Sequence, residues 1–207
     1  MGATNARIAA SLAAVMIFSV ISYYRIDIPV AIFCRGLDIR ILDTFEWIST
    51  LGESTWYLVG AFGLFLYFKR IRRNEVFANR ALFVFASVAV SGTVTLFIKM
   101  IFGRFRPTMF FQEGLYGLNF FHPSEDLNSF PSGHAATALS LAFALSLLFP
   151  RYRFPLFLFG LLVAISRTVT TAHFLSDTVA GAWIGIVTVC LLRRELIRRN
   201  KSQWCGS

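Results

Sequence analysis

Cysteine is scarce: Cys34, Cys190 and Cys205 stand far apart in a chain of 207 residues. That spacing gives no metal-type pairing, and with Cys190 inside an apolar run a disulfide framework is not expected. Acidic residues are short too, 11 against 20 Lys plus Arg, leaving a formal net charge of +9. The positive residues cluster at the flanks of apolar segments, which is the signature of membrane topology, so no nucleic-acid partner is expected. Strict apolar–polar alternation is missing, which excludes a transmembrane barrel. Neither an internal repeat nor a low-complexity tract is present. What fills the chain is apolar: 56 % hydrophobic residues, against roughly 45–50 % in soluble domains. The length fits a single domain over 1–207.

Six apolar segments can be read, at residues 6–24, 49–68, 81–102, 132–149, 155–174 and 176–192. Most approach the ~20 residues that cross a hydrocarbon core. The first has only Arg7 as a basic start and no small-x-small cleavage site, so it is expected to be a retained span. Between the first two, Ile28, Val30, Phe33, Ile39 and Ile41 alternate irregularly with Arg35, Asp38, Arg40 and Asp43. That mixture suits a helix along the outer interface or, equally, a packed loop. The expected fold is all-α: a polytopic membrane protein, a six-transmembrane-helix bundle with an interfacial outer helix.

Charge sets the orientation. Arg7, the 69–80 connection, Arg151, Arg153 and the basic tail from Arg193 to Lys201 fall on one side with few acids. The positive-inside rule makes that side, and both termini, cytoplasmic. Three basic-and-histidine clusters then share the outer side, an outcome the charge rule did not presuppose.

The first cluster is Lys99 with Arg106-Pro107, the second Pro131-Ser132-Gly133-His134, and the third Ser166-Arg167 with His173 and Asp177. A charge at membrane depth costs about 2.5–3.5 kcal/mol even on the lenient insertion scale. Snorkelling explains one such residue. Two guanidinium groups and an ammonium beside two imidazoles call for an anion, and arginine binds phosphate bidentately. Proline followed by a free Gly133 amide starts a helix whose backbone donors suit phosphate oxygens. His134 beside them can hand a proton to a leaving oxygen, though a lone rim histidine is more often an interfacial hydrogen-bonder. His173 and Asp177 share a face if the helix is continuous, so the carboxylate can fix the imidazole tautomer. Asp177 can equally cap the last span, with Ser176 assisting. Arg104 reads as a solvated rim charge, His122 as a loop hydrogen-bonder, and Glu53 as a cap or a cavity-lining acid. Residues 107–130 read as a structured loop over the site.

Lys-x6-Arg-Pro, Pro-Ser-Gly-His and Ser-Arg-x5-His-x3-Asp in this order resemble the type 2 phosphatidic acid phosphatase superfamily. The resemblance implies His173 as a nucleophile that forms a phosphohistidine, Asp177 as its orienting partner, and His134 as acid and then base. Lys99, Arg106, Ser132, Gly133 and Arg167 would hold the phosphoryl oxygens. No cofactor and no divalent metal are implied, because fixed cations supply the charge stabilisation. Soluble vanadium haloperoxidases carry related motifs, but six apolar spans argue against that branch.

The expected function is metal-independent hydrolysis of a lipid phosphomonoester or pyrophosphate at the outer face of a bacterial-type inner membrane, with lipid entering laterally. Substrates in the resembling family include phosphatidylglycerophosphate, phosphatidic acid, undecaprenyl pyrophosphate and the 1-phosphate of lipid A. Two alternatives are a lipid phosphotransferase using the same phosphohistidine and a non-catalytic lipid binder or transporter. Partners are the lipid phosphate and the surrounding membrane lipids; the sequence carries no signal of oligomeric state.

Overall fold

A computed structural model describes residues 2–121, 128–199, 201 and 204. Among them the chain is all-helical, with no strand and one isolated bridge between Arg104 and Leu118. The helices are α1 (Gly2–Arg25), α2 (Asp27–Arg35), α3 (Ile39–Thr50), α4 (Ser54–Leu66), α5 (Glu75–Phe102), α6 (Pro107–Glu113), α7 (Gly133–Leu148), α8 (Arg153–Val169) and α9 (Leu175–Arg198).

Four segments are long and apolar enough to cross a membrane: Asn5–Arg25, Glu75–Phe102, Pro150–Val169 and Leu175–Arg198. The other two expected spans are shorter. The α4 helix has 13 residues and runs on into a π-turn, Tyr67–Ile71, and α7 has 16. The segment expected to begin at residue 49 is cut short because α3 extends to Thr50 and Glu53 precedes α4 as its N-cap. The outer connection likewise forms two helices, α2 and α3, where one interfacial helix or a packed loop was expected. Gly36 ends the first, and Asp38 caps the second by accepting from the Arg40 amide at 2.8 Å.

The α7 helix is central. Eleven of its 16 residues are buried, which is why it need not match bilayer thickness. It packs on α5, α8 and α9, and its alanines allow close approach. A Cβ on Gly181 of α9 would meet the Ser132 carbonyl oxygen at 2.2 Å, and one on Gly185 the Ala136 oxygen at 2.4 Å. Ser91 of α5 and Ser140 of α7 add a hydrogen bond between helices at 3.1 Å. Larger apolar side chains face outward, among them Met16, Ile17, Trp56 and Val59, as a lipid-facing surface requires.

At one end of the bundle the connection after α5 folds back on itself. Gly103 takes φ +52°, and a Cβ there would lie 2.0 Å from the Asn119 oxygen. The amides of Asn119, Phe121 and Ser129 donate to the carbonyls of Gly103, Ile101 and Arg104. This fold-back, expected as a structured loop, sets Ser129 beside the starts of α7 and α9. His122 lies outside the described residues.

Candidate active site

The end of α5, the N-cap of α6 and the start of α7 converge on one cavity of about 790 Å³. Lys99, Arg106, Gly133 and His134 line it, with Asn128, Gly52 and Glu53. Its wall continues along Leu58 of α4 and Val88, Ala89 and Leu96 of α5, so a charged end and an apolar flank form one continuous surface.

Each cation is held differently. Lys99, in the last turn of α5, donates to the Asn128 carbonyl at 2.6 Å. Arg106 immediately precedes Pro107, whose ring opens α6 at a position where no amide is needed. Arg167, near the end of α8, donates to the Ser49 hydroxyl of α3. Among the described residues no acceptor pairs with the buried Nε of Arg106 or Arg167.

Ser132 is the N-cap of α7, and its hydroxyl accepts from the Ala135 amide at 3.5 Å. Pro131 therefore sits ahead of the cap, outside the first turn in which the sequence places it. The Ser132 amide donates to the Asp177 carbonyl at 2.9 Å, which ties α7 to α9. Ser132 is fully buried and is absent from the cavity wall, whereas Gly133 is on it.

His173 lies in the turn between α8 and α9, and its side chain is 3 % exposed. The helix is not continuous from His173 to Asp177, because α9 starts at Leu175 with Phe174 as its N-cap. Nδ1 of His173 and Oδ2 of Asp177 are 3.9 Å apart, which is ion-pair and not hydrogen-bond distance. The bond that orients the ring comes from Ser129, whose carbonyl oxygen is 2.7 Å from Nδ1. A carbonyl only accepts, so Nδ1 carries the proton and Nε2 keeps its lone pair. Burial and the positive charges of Lys99, Arg167 and Arg106 hold the His173 pKa well below its ordinary value, against the opposing pull of the Ser129 carbonyl. The imidazole is neutral at neutral pH.

Asp177 does cap α9: Oδ2 accepts from the Phe174 amide at 2.9 Å and from the Ser129 hydroxyl at 2.6 Å. Its other oxygen accepts from Arg104 at 2.5 Å. Arg104, read from sequence as a solvated rim charge, is 2 % exposed. Its guanidinium also bonds Asp27 at 2.8 Å and sits over the Phe174 ring at 4.5 Å. Burial pushes the Arg104 pKa down, but Asp177 and Asp27 more than offset this and leave it above its ordinary value.

Sequence reasoning missed Asp27, Ser129, Ser49 and Gly52. A Cβ on Gly52 would meet His134 Cδ2 and Val163 Cγ1, each at 2.8 Å. The turn between α3 and α4 is thus packed directly against the His134 imidazole.

Of the residues expected at the site, Lys99, Arg106, Gly133 and His134 line the cavity, whereas Arg167, His173 and Asp177 are not on its wall. Residues 80–201 match the PAP2 superfamily, and the chain belongs to that family. A lipid A 1-phosphatase of Rhizobium etli is 29 % identical over 182 residues, which cover 81 % of this chain and 78 % of the relative. A lipid A 4′-phosphatase of Porphyromonas gingivalis is 26 % identical, with 84 % and 73 % covered. The crystal structure of Aquifex aeolicus LpxE superposes with a TM-score of 0.54 at 22 % identity, covering 80 % of this chain and 92 % of that one. The first transmembrane PAP2-type phosphatidylglycerolphosphate phosphatase from Bacillus subtilis gives 0.55 at 18 %, covering 90 % and 96 %. The chain is an integral membrane hydrolase of lipid phosphates.

Proposed function

We propose that this enzyme removes a phosphate monoester from a saccharide-headed lipid of the lipid A type through a phosphohistidine on His173. The observation that carries the reading is the bond from His173 Nδ1 to the Ser129 carbonyl. It leaves Nε2 as the nucleophilic atom of a neutral ring on which Lys99, Arg106 and Arg167 all act. Nε2 attacks phosphorus, the P–O bond to the lipid breaks, and His134 gives the departing oxygen its proton. His134 then takes a proton from water as that water attacks phosphorus, releasing phosphate and restoring His173.

The phosphoryl oxygens would lie against Lys99, Arg106, Arg167 and the Gly133 amide at the start of α7. Ser132 supports this group as the N-cap that exposes the amide. These cations stabilise charge as it develops, so no step needs a metal. The cavity flank along α4 and α5 offers a lateral path on which acyl chains stay in the bilayer.

In the arrangement proposed, α1, α4, α5, α7, α8 and α9 form six spans and α2 and α3 lie at the outer interface. Both termini are cytoplasmic, and the site opens on the outer face of a bacterial inner membrane. The lipid A relatives support the choice of substrate. The test is phosphate release in detergent from lipid A, phosphatidic acid, phosphatidylglycerophosphate and undecaprenyl pyrophosphate. The expected result is preference for lipid A with free phosphate as product. Preference for a glycerolipid overturns the substrate, and a newly phosphorylated lipid in place of free phosphate overturns hydrolysis.

A further inference from the structure

Behind His173, on the side of Nδ1, the motif acid Asp177 belongs to a fully buried cluster whose other two members, Asp27 and Arg104, are not motif residues. Asp27 and Asp177 have no exposed surface, and the Arg104 side chain between them is 3 % exposed. They come from the first turn of α2, the start of α9 and the connection after α5.

Hydrogen bonds surround both carboxylates. Asp27 Oδ1 accepts from the Ser22 hydroxyl at 2.7 Å and the Ser176 amide at 3.0 Å. Its Oδ2 accepts from the Ser176 hydroxyl at 2.5 Å and from Arg104 at 2.8 Å. Four polar contacts converge on that carboxylate, an arrangement that suits the ionised form. Asp177 likewise accepts from Arg104, Ser129 and Phe174. Two carboxylates share one guanidinium, so with both ionised the cluster carries one surplus negative charge.

A buried cluster with surplus charge is a poor device for stability, because desolvation costs several kcal/mol per ion. Its placement suggests another use. Arg104 reaches His173 along two short routes. Through its side chain it grips Asp177, whose Oδ2 holds the Ser129 hydroxyl. Through its backbone it accepts the Ser129 amide at 3.1 Å. Ser129 in turn presents the carbonyl that bonds Nδ1.

The geometry points to Asp27 and Arg104 as positioning residues for the nucleophile: Asp27 orients Arg104, Arg104 locks Asp177 and Ser129, and these fix His173 with Nε2 free. This rests on His173 being the nucleophile. When Nε2 bonds phosphorus and the lipid oxygen leaves with the His134 proton, the ring keeps its Nδ1–H and becomes cationic. The leftover negative charge sits where it stabilises that cation, with Asp177 Oδ2 at 3.9 Å. Lys99, Arg106 and Arg167 are the opposing charges that act on the ring. They favour the bound phosphoryl group, whereas the cluster favours the phosphorylated imidazole.

Asp27→Asn keeps the shape and removes the surplus charge. Phosphate release from lipid A in detergent should show kcat lowered about 10–100-fold, the scale on which hydrogen-bond partners of metal-ligating histidines act. KM should stay within about threefold, because no phosphate ligand is touched. Asp43→Asn, which removes an equal charge at an exposed position of α3, should behave as wild type. Wild-type kcat in a folded Asp27→Asn protein overturns the inference. So does a loss that appears only in KM. If Asp27→Asn does not assemble, Asp27→Asn with Arg104→Met removes a matched pair of charges and with it the Arg104 grip on Asp177, and a kcat loss of the same order is expected from the lost positioning alone. Wild-type kcat in the double variant also overturns it. His173→Ala separates the two levels: an inactive His173→Ala beside a fully active Asp27→Asn refutes the positioning role alone, whereas an active His173→Ala refutes the nucleophile itself.

Discussion

Replacing Gly52 with alanine tests whether the α3–α4 turn sets the position of His134. The added methyl would stand 2.8 Å from His134 Cδ2, 2.9 Å from its Cβ and 2.8 Å from Val163 Cγ1. Carbon contacts relax only near ~3.5–4.0 Å, and Val163 is itself fully buried, so the imidazole must retreat by about 0.7 Å or more. A shift of ~1 Å at a reacting group costs about 10²-fold in rate. The expected result is a kcat lowered about 10–100-fold, with a loss of stability of about 1–3 kcal/mol from overpacking. KM should change little, because Lys99 and Arg106 are not displaced. Gly60→Ala and Gly63→Ala make matched controls in α4, since a methyl at either meets nothing within 4 Å. They should keep wild-type turnover and gain up to ~1 kcal/mol of helix stability. Phosphate release with parallel thermal unfolding in detergent reads all three variants. A Gly52→Ala enzyme with wild-type kcat would refute the reasoning.

Two further expectations concern pH and inhibitors. Because the pKa of His173 lies well below its ordinary value in the folded protein, the unfolded chain binds a proton there, below about 6.5, that the folded one does not. Stability should therefore fall as pH drops through that range, and thermal unfolding with a maximum at acidic pH would contradict the neutral, buried imidazole. Activity should survive EDTA and be blocked by vanadate, which mimics a pentacoordinate transition state. Loss of activity on chelation that a divalent ion restores would overturn the cation-only mechanism.

The parts of this molecule that were legible in sequence are those with a local signature. Lys99 and Arg106 stand out because ionised groups in apolar runs are costly, and Pro131-Ser132-Gly133 announces a helix start. The structure gathers Lys99, Arg106, Gly133 and His134 around one cavity. Asp27 was hidden because a single acid beside Tyr-Tyr-Arg reads as a loop charge, and only folding carries it to zero exposure against Arg104 and Ser176. Arg104 was misread for the same reason: burial of a charge depends on partners that come from distant segments. Ser129 contributes a main-chain carbonyl to His173, and a carbonyl has no residue signature at all. Gly52 offers only the absence of a side chain, whose value appears once His134 is seen against it. Hydropathy alone lengthens α4, because apolar content does not reveal where a turn and an N-cap interrupt the helix.

Capture of the phosphoryl group by the His173 imidazole leaves a covalent trace. Rapid acid-free quenching of the enzyme with phosphate-labelled lipid A, followed by peptide mapping under alkaline conditions, measures it directly. The expected result is base-stable, acid-labile label on the peptide that contains His173, and neither label nor turnover in a folded His173→Ala protein. Label on another residue, or wild-type turnover in that variant, would contradict it.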